Sequence, residues 1–164
     1  MNLIKKNKYM MLVLIAGGVV AMDQFTKWLI TSSMSYYEQI NVIPGFLNLV
    51  YIHNPGGAFG MFAQNQSNLQ SILFIGIAMA AMGLILYLYK NTPSEYPLLS
   101  AGLALIFGGA LGNMIDRIRL GEVIDFIDVY IGHLHWPAFN VADSAITIGM
   151  IIFGFYILFR KVPL

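Results

Sequence analysis

The 164-residue chain is 58% hydrophobic and 10% charged, with a mean hydropathy of +0.71, whereas soluble domains carry roughly 25% charged residues. Residues 1–164 therefore read as one integral-membrane domain. A net charge of +1 without a basic stripe gives no attraction to nucleic acid, and the absence of cysteine removes thiol catalysis, thiolate metal sites, disulfides and lipid attachment to cysteine.

The first apolar run, residues 9–30, follows Lys5, Lys6 and Lys8 and imitates a secretory signal peptide. It is expected to stay attached, because Val20-Ala21-Met22 is a poor small-residue cleavage site. The run also continues through Asp23-Gln-Phe-Thr-Lys27 into Trp28 and Ile30 as a longer helix does. Asp23 and Lys27 stand four apart on one helical face and can pair, which assigns them a structural role.

Residues 31–68 form a long connection. It holds a β-forming stretch over 46–53 and turn signals at Pro44-Gly45 and Pro55-Gly56-Gly57. Further runs at 69–89, 98–115 and 141–159 also approach the roughly 20 residues needed to cross a bilayer. Asn91-Thr-Pro-Ser-Glu95 is a short turn between the second and third. The two long connections, 31–68 and 116–140, then share one side. Lys5, Lys6, Lys8, Lys90, Arg160 and Lys161 flank the termini and the short turn. Positive charge favours the cytoplasm, so both termini are expected inside and both long connections outside. With a second extended stretch at 122–130, the expected fold is a membrane all-α bundle of four spans with a small extracytoplasmic β-sheet.

Gly108-Gly-Ala-Leu-Gly112, with Ala104 a turn earlier, has the small-residue spacing that lets helix backbones approach in lipid. Asn113, Asp116 and Arg117 follow at i, i+3 and i+4 and share a face. Asn140, Asp143 and Ser144 repeat that spacing at the start of the fourth span. There Asn140 suits an N-cap and Asp143 the reciprocal position of a capping box.

Five of the eight acidic residues fall between Asp116 and Asp143. Asp125, in a connection that must return to the fourth span, and Asp143, one turn into that span, can meet at the outer edge of the hydrocarbon. Two carboxyls brought together share a proton, supplying a base for water and an acid for a carbonyl or leaving amine. That is aspartic-protease chemistry. Asp125 and Asp128 could instead suggest Mg²⁺ and phosphoryl transfer. Residues three apart in a strand face opposite ways, however, and Asp128 is expected at the surface. His133 and His135 share a strand face and could hold zinc, but spacing offers no third ligand. Trp136, Tyr36 and Tyr37 read as interfacial aromatics. Ser144 has no plausible histidine partner for serine hydrolysis. A proton or ion carrier with buried carboxylates is the non-enzymatic alternative, disfavoured by the lack of an inverted repeat.

The chain resembles the lipoprotein signal peptidases (signal peptidase II), bacterial membrane aspartic peptidases, almost end to end. The resemblance rests on Asp23-Gln-Phe-Thr-Lys27, Asn54-Pro-Gly-Gly-Ala-Phe-Gly60, Gly108-Gly-Ala-Leu-Gly-Asn-Met-Ile-Asp-Arg117, Val123-Ile-Asp-Phe126 and Pro137-Ala-Phe-Asn-Val-Ala-Asp-Ser144. It implies Asp125 and Asp143 as the catalytic pair and Asn54, Gly56, Asn113, Arg117 and Asn140 as supporting or substrate-binding residues. Asp23, Lys27, Asp116 and Ser144 are structural polar positions. Gly57 departs from the alanine usual in the family. The resemblance further implies no metal and no cofactor. The expected substrate is a diacylglyceryl-modified prolipoprotein cut just before its lipid-bearing cysteine. The expected setting is the bacterial cell membrane, with an extracytoplasmic site in a monomer surrounded by membrane lipid.

Overall fold

Within lipid, a single chain segment satisfies all its backbone N–H and C=O groups only as a helix. The computed structural model describes residues 3–56 and 68–160. Its helices are α1 (Leu3–Ser33), α2 (Asn68–Asn91), α3 (Pro97–Leu120) and α4 (Val141–Phe159). Each contains 19 to 27 residues long and apolar enough to cross a bilayer. The spans agree with the apolar runs, with one extension that matters. α3 continues past Ile115 to Leu120, so Asn113, Asp116 and Arg117 project from one unbroken helix. Gly121 ends it at φ 80°, donating its N–H to the Arg117 carbonyl.

α3 is the central helix. It packs against α1, α2 and α4, and 56% of its span is buried, against 11–17% for the others. Its small residues permit this. A Cβ on Gly109 would collide with the Ala142 carbonyl oxygen of α4, and one on Gly112 would stand 2.8 Å from Asp23 Oδ2 of α1. Lower in the bundle, Tyr89, Leu99, Leu103, Ala104 and Ile106 form an apolar core. At this end Lys8 Nζ donates to the carbonyls of Lys90 (3.3 Å) and Thr92 (2.5 Å), tying α1 to the exposed C-terminus of α2.

The two long connections contribute to one antiparallel sheet, β1 (Gln39–Ile43), β2 (Leu47–Asn54), β3 (Val123–Ile131) and β4 (Leu134–His135), in that spatial order. The sheet sits at the end of the bundle opposite the α2–α3 turn. Phe126 of β3 packs there on Ile30 and Met34 at the end of α1. The stretches 46–53 and 122–130 become its central strands. The edges were not legible: β1 is exposed along its length and β4 has two residues, too little burial to leave a pattern. β2 and β3 pair Ile52 with Asp125 and Asn54 with Val123, and a bulge lies between Leu49 and Ile52.

Asp128 differs from expectation. It is buried rather than exposed, because Asn48 Nδ2 donates to its Oδ2 (2.8 Å) and His135 Nδ1 meets its Oδ1 (2.8 Å). The His135 ring in turn stacks on Tyr130.

Candidate active site

Asp125 arrives on β3, which is buried without alternation from Val123 to Phe126 because the sheet lies on the bundle there. Its side chain is hydrogen-bonded on both oxygens. Asn140 Nδ2 donates to Oδ1 (2.8 Å) and Asn54 Nδ2 to Oδ2 (2.9 Å). Asn54 is itself oriented, since the Gly56 N–H donates to its Oδ1 (2.9 Å). Gly56 has φ +93°, and a Cβ there would strike the Phe74 ring. That position therefore needs glycine on two counts.

Asp143 arrives in the first turn of α4. The capping box is present in full: Asn140 Oδ1 accepts from the Asp143 N–H (2.9 Å), and Asp143 Oδ2 accepts from the Asn140 N–H (3.2 Å). Asn113 Nδ2 donates to the other oxygen, Oδ1, at 2.8 Å. Capping does not compete with the acid-pair reading. The cap is the device that brings Asp143 to Asp125, because the one residue Asn140 donates to both carboxyls, by its side chain to Asp125 and by its backbone to Asp143.

A second set of polar groups supports the first from behind. Lys27 Nζ lies 2.8 Å from Asp23 Oδ2, 2.7 Å from Asp116 Oδ2 and 3.1 Å from Asn113 Oδ1. Asp23 Oδ1 accepts the Ala142 N–H (3.0 Å), and Asp116 Oδ2 accepts the Ile124 N–H (3.3 Å). One ammonium thus neutralises two carboxylates that grip the start of α4 and the start of β3. The i, i+4 pair was legible from spacing; Asp116 as its third member was not. Gln24 was missed altogether, although its Nε2 donates to Asp116 Oδ1 (2.8 Å) and Asp23 Oδ2 (3.2 Å). A glutamine beside an aspartate within a span was the available signal. Ser144 donates its hydroxyl to the Asn140 carbonyl (3.0 Å) and serves the cap.

Burial is the main cause that raises the Asp125 carboxyl to about 7; the nearby Asp143 charge adds to it, and the Asn54 and Asn140 hydrogen bonds and Lys27 oppose it. Ile124 and Phe126 point to the other face of the strand, so the packing of sheet on bundle supplies the dry surroundings.

Arg117 faces Asp143, Asp125 and Asp116 electrostatically without an ion pair to any of them among the described residues. Its Nε is buried with no hydrogen-bond partner there, and its guanidinium lies over the Phe74 ring. Beside Asp143 opens a largely apolar cavity of about 370 Å³ lined by Trp136, Phe139, Ser144, Thr147 and Ile148. The departure at Gly57, and the end of its motif at Gly60, lie outside the described residues. The structure thus brings Asn54, Gly56, Asn113, Asn140, Asp125 and Asp143 together, places Asp23, Lys27 and Asp116 behind them, and leaves Asp128, His133 and His135 apart.

The family model for signal peptidase (SPase) II matches residues 15–159. The chain belongs to the signal peptidase II family. A lipoprotein signal peptidase of Desulforapulum autotrophicum is 49% identical over 152 residues, covering 93% of this chain and 94% of that protein. One from Syntrophus aciditrophicus is 48% identical over 147 residues, covering 89% and 91%. Two solved structures described as bacterial membrane enzymes share the fold at 37% identity. Their TM-scores are 0.80 and 0.77, with 90% and 92% of this chain covered and 92% and 87% of theirs. The chain is accordingly a membrane-spanning protease of this family, and its helices and sheet are those of a known bacterial membrane enzyme.

Proposed function

We propose that the protein is an aspartic endopeptidase that removes signal peptides from diacylglyceryl-modified prolipoproteins, cutting just before the lipid-bearing cysteine. The observation that carries this reading is the joint hydrogen bonding of Asp125 and Asp143 by Asn140. It holds two carboxyls in one dry site at the junction of helix and sheet. A raised Asp125 carboxyl beside an Asp143 that accepts a backbone N–H at a helix start favours one shared proton, residing on Asp125. Water then loses a proton to Asp143 as its oxygen bonds the scissile carbonyl carbon, while Asp125 donates a hydrogen bond to the carbonyl oxygen. On collapse of the tetrahedral intermediate, the proton taken by Asp143 passes to the departing amine of the cysteine and the C–N bond breaks. The pair then regains its starting state. Asn54, Asn113 and Asn140 orient the two acids, and Arg117, without an ion pair among the described residues, faces them both and offers its charge to substrate carbonyls.

The apolar cavity beside Asp143 suits a substrate whose acyl chains stay in lipid. The reading places the sheet and site on the outer face of the bacterial cell membrane, in a monomer that acts on a substrate held by the same bilayer. The test is to incubate the purified protein with lipidated prolipoprotein and follow release of the signal peptide on a gel. Cleavage is expected for the lipidated substrate and is expected to persist in saturating EDTA, because the pair needs only water. Loss on chelation, restored by Mg²⁺ or Zn²⁺, would move the chemistry to a metal enzyme.

A further inference from the structure

Phe74, in the second turn of α2, touches the site from an element that, among the described residues, contributes none of its hydrogen bonds. A Cβ on Gly56 would stand 2.5 Å from its Cε2 and 2.8 Å from its Cδ2, so the ring lies directly against the backbone of that turn. On its other side the Arg117 guanidinium carbon lies 5.4 Å from the ring centroid, within cation–π reach. We propose that Phe74 is a positioning residue for the acid pair: anchored on Arg117, its ring clamps the Gly56 turn and so keeps the Asn54 amide on Asp125.

The chain of contact is continuous. Phe74 presses on Gly56, the Gly56 N–H holds Asn54 Oδ1, and the same amide's Nδ2 holds Asp125 Oδ2. Gly56 at φ +93° is a residue type with the widest conformational freedom in the chain. The ring is a contact from outside that turn, added to the Gly56 N–H bond to Asn54 Oδ1 within it. Arg117 suits the anchoring role because its guanidinium is not drawn into an ion pair among the described residues, and the ring face is what it meets. Nothing in the spacing of α2 marked Phe74, since one aromatic in an apolar span has no signature.

This inference rests on the proposed acid pair, and its test reads Asp125 directly rather than through turnover. The charged groups facing Asp125 are Asp143 from α4, Lys27 from α1 and Arg117 from α3, and none of them is altered. Asn54 donates to the ionised carboxylate, so freeing it favours the protonated acid. The protonated-carboxyl infrared band lost in Asp125→Asn is titrated in the wild type, Phe74→Leu, Phe74→Ala, Phe74→Tyr and Asn54→Ala. Phe74→Leu and Phe74→Ala are expected to raise the midpoint by about 1 pH unit, a tenfold change in the protonation equilibrium, as Asn54→Ala does. Phe74→Tyr, which keeps the ring, should titrate as wild type. In the double variant with Asn54→Ala, Phe74→Leu should add nothing, as coupled residues behave.

Phe74→Leu keeps an apolar side chain and carries the test if Phe74→Ala does not fold. A midpoint unmoved, moved downward, or moved additively with Asn54→Ala would overturn the proposal and make Phe74 ordinary packing. Prolipoprotein cleavage by Asp125→Asn or Asp143→Asn, assayed in parallel, would instead overturn the acid-pair reading, while the infrared midpoints still decide what Phe74 does.

Discussion

Asn140 carries three assignments in one side chain and one peptide group. It caps α4, donates to Asp125, and donates to Asp143. In the proposed mechanism each carboxyl of the pair has a proton-transfer task that an amide cannot perform. Asp125→Asn and Asp143→Asn are therefore each expected to reduce cleavage by roughly 10²–10⁴-fold or more with the fold intact, as a gel-shift assay and thermal unfolding in detergent would show. The raised Asp125 carboxyl also sets a pH dependence. The proposed mechanism needs one proton on the pair, so kcat/KM should fall as pH rises through about 7, where Asp125 ionises, and a rate that stays flat through pH 9 would contradict this. Lys27 is a different kind of residue. Removing it by Lys27→Met leaves Asp23 and Asp116 buried beside each other without their cation. Breaking a buried pair in this way costs about 3–5 kcal/mol, to be read as a fall in the unfolding midpoint at neutral pH.

At the level of elements, what the sequence discloses depends on whether an element leaves a periodic or compositional trace. The four spans do, because bilayer thickness dictates their length, and they were legible to within a few residues. The central strands do, through Leu47–Asn54 and Val123–Ile131. The edge strands do not, and neither do contacts between elements distant in sequence, such as Asp116 on Lys27 or Phe74 on Gly56. Asp125 and Asp143 were readable because acids are rare in this chain and concentrated in one region. Asp128 misled for a related reason. Alternation in a strand predicts which face a residue occupies, but not that Asn48 and His135 cover that face. A close approach of α3 to a neighbour was readable from the glycines; that α4 is one such neighbour was not, and it is testable. Asn113 reaches Asp143 across that interface. Gly109→Val, whose side chain meets the Ala142 backbone, should push the helices apart and lower kcat/KM on the order of 10²-fold. Gly154→Ala, on the same α4 but with nothing within 4 Å, should leave the rate unchanged and slightly stabilise the helix.

For the whole molecule, the sheet and the α2–α3 turn lie at opposite ends of the bundle, and charge distinguishes those ends. Lys8 and Lys90 mark the end with the turn, where Lys8 also closes the C-terminus of α2 through the Thr92 carbonyl. Arg160 follows α4 at that same end, as the even number of spans requires. The other end carries Asp125, Glu122 and the exposed interfacial aromatics Tyr36, Tyr37 and Trp136. Cytoplasmic loops hold the excess of lysine and arginine, so the turn end is expected to face the cytoplasm and the sheet, with the acid pair beneath it, the outside. The proposed substrate asks for the same arrangement, because a lipid-anchored precursor of that kind would present its scissile bond at the outer interface. Reporter fusions after Thr92 and after Leu164 should therefore give a cytoplasmic signal, and fusions within 31–56 or 121–140 an external one. An external signal after Leu164 together with a cytoplasmic one after Thr92 would require an odd number of spans. Inversion of every signal would leave the fold intact but put the acid pair on the wrong side of the membrane for its proposed substrate.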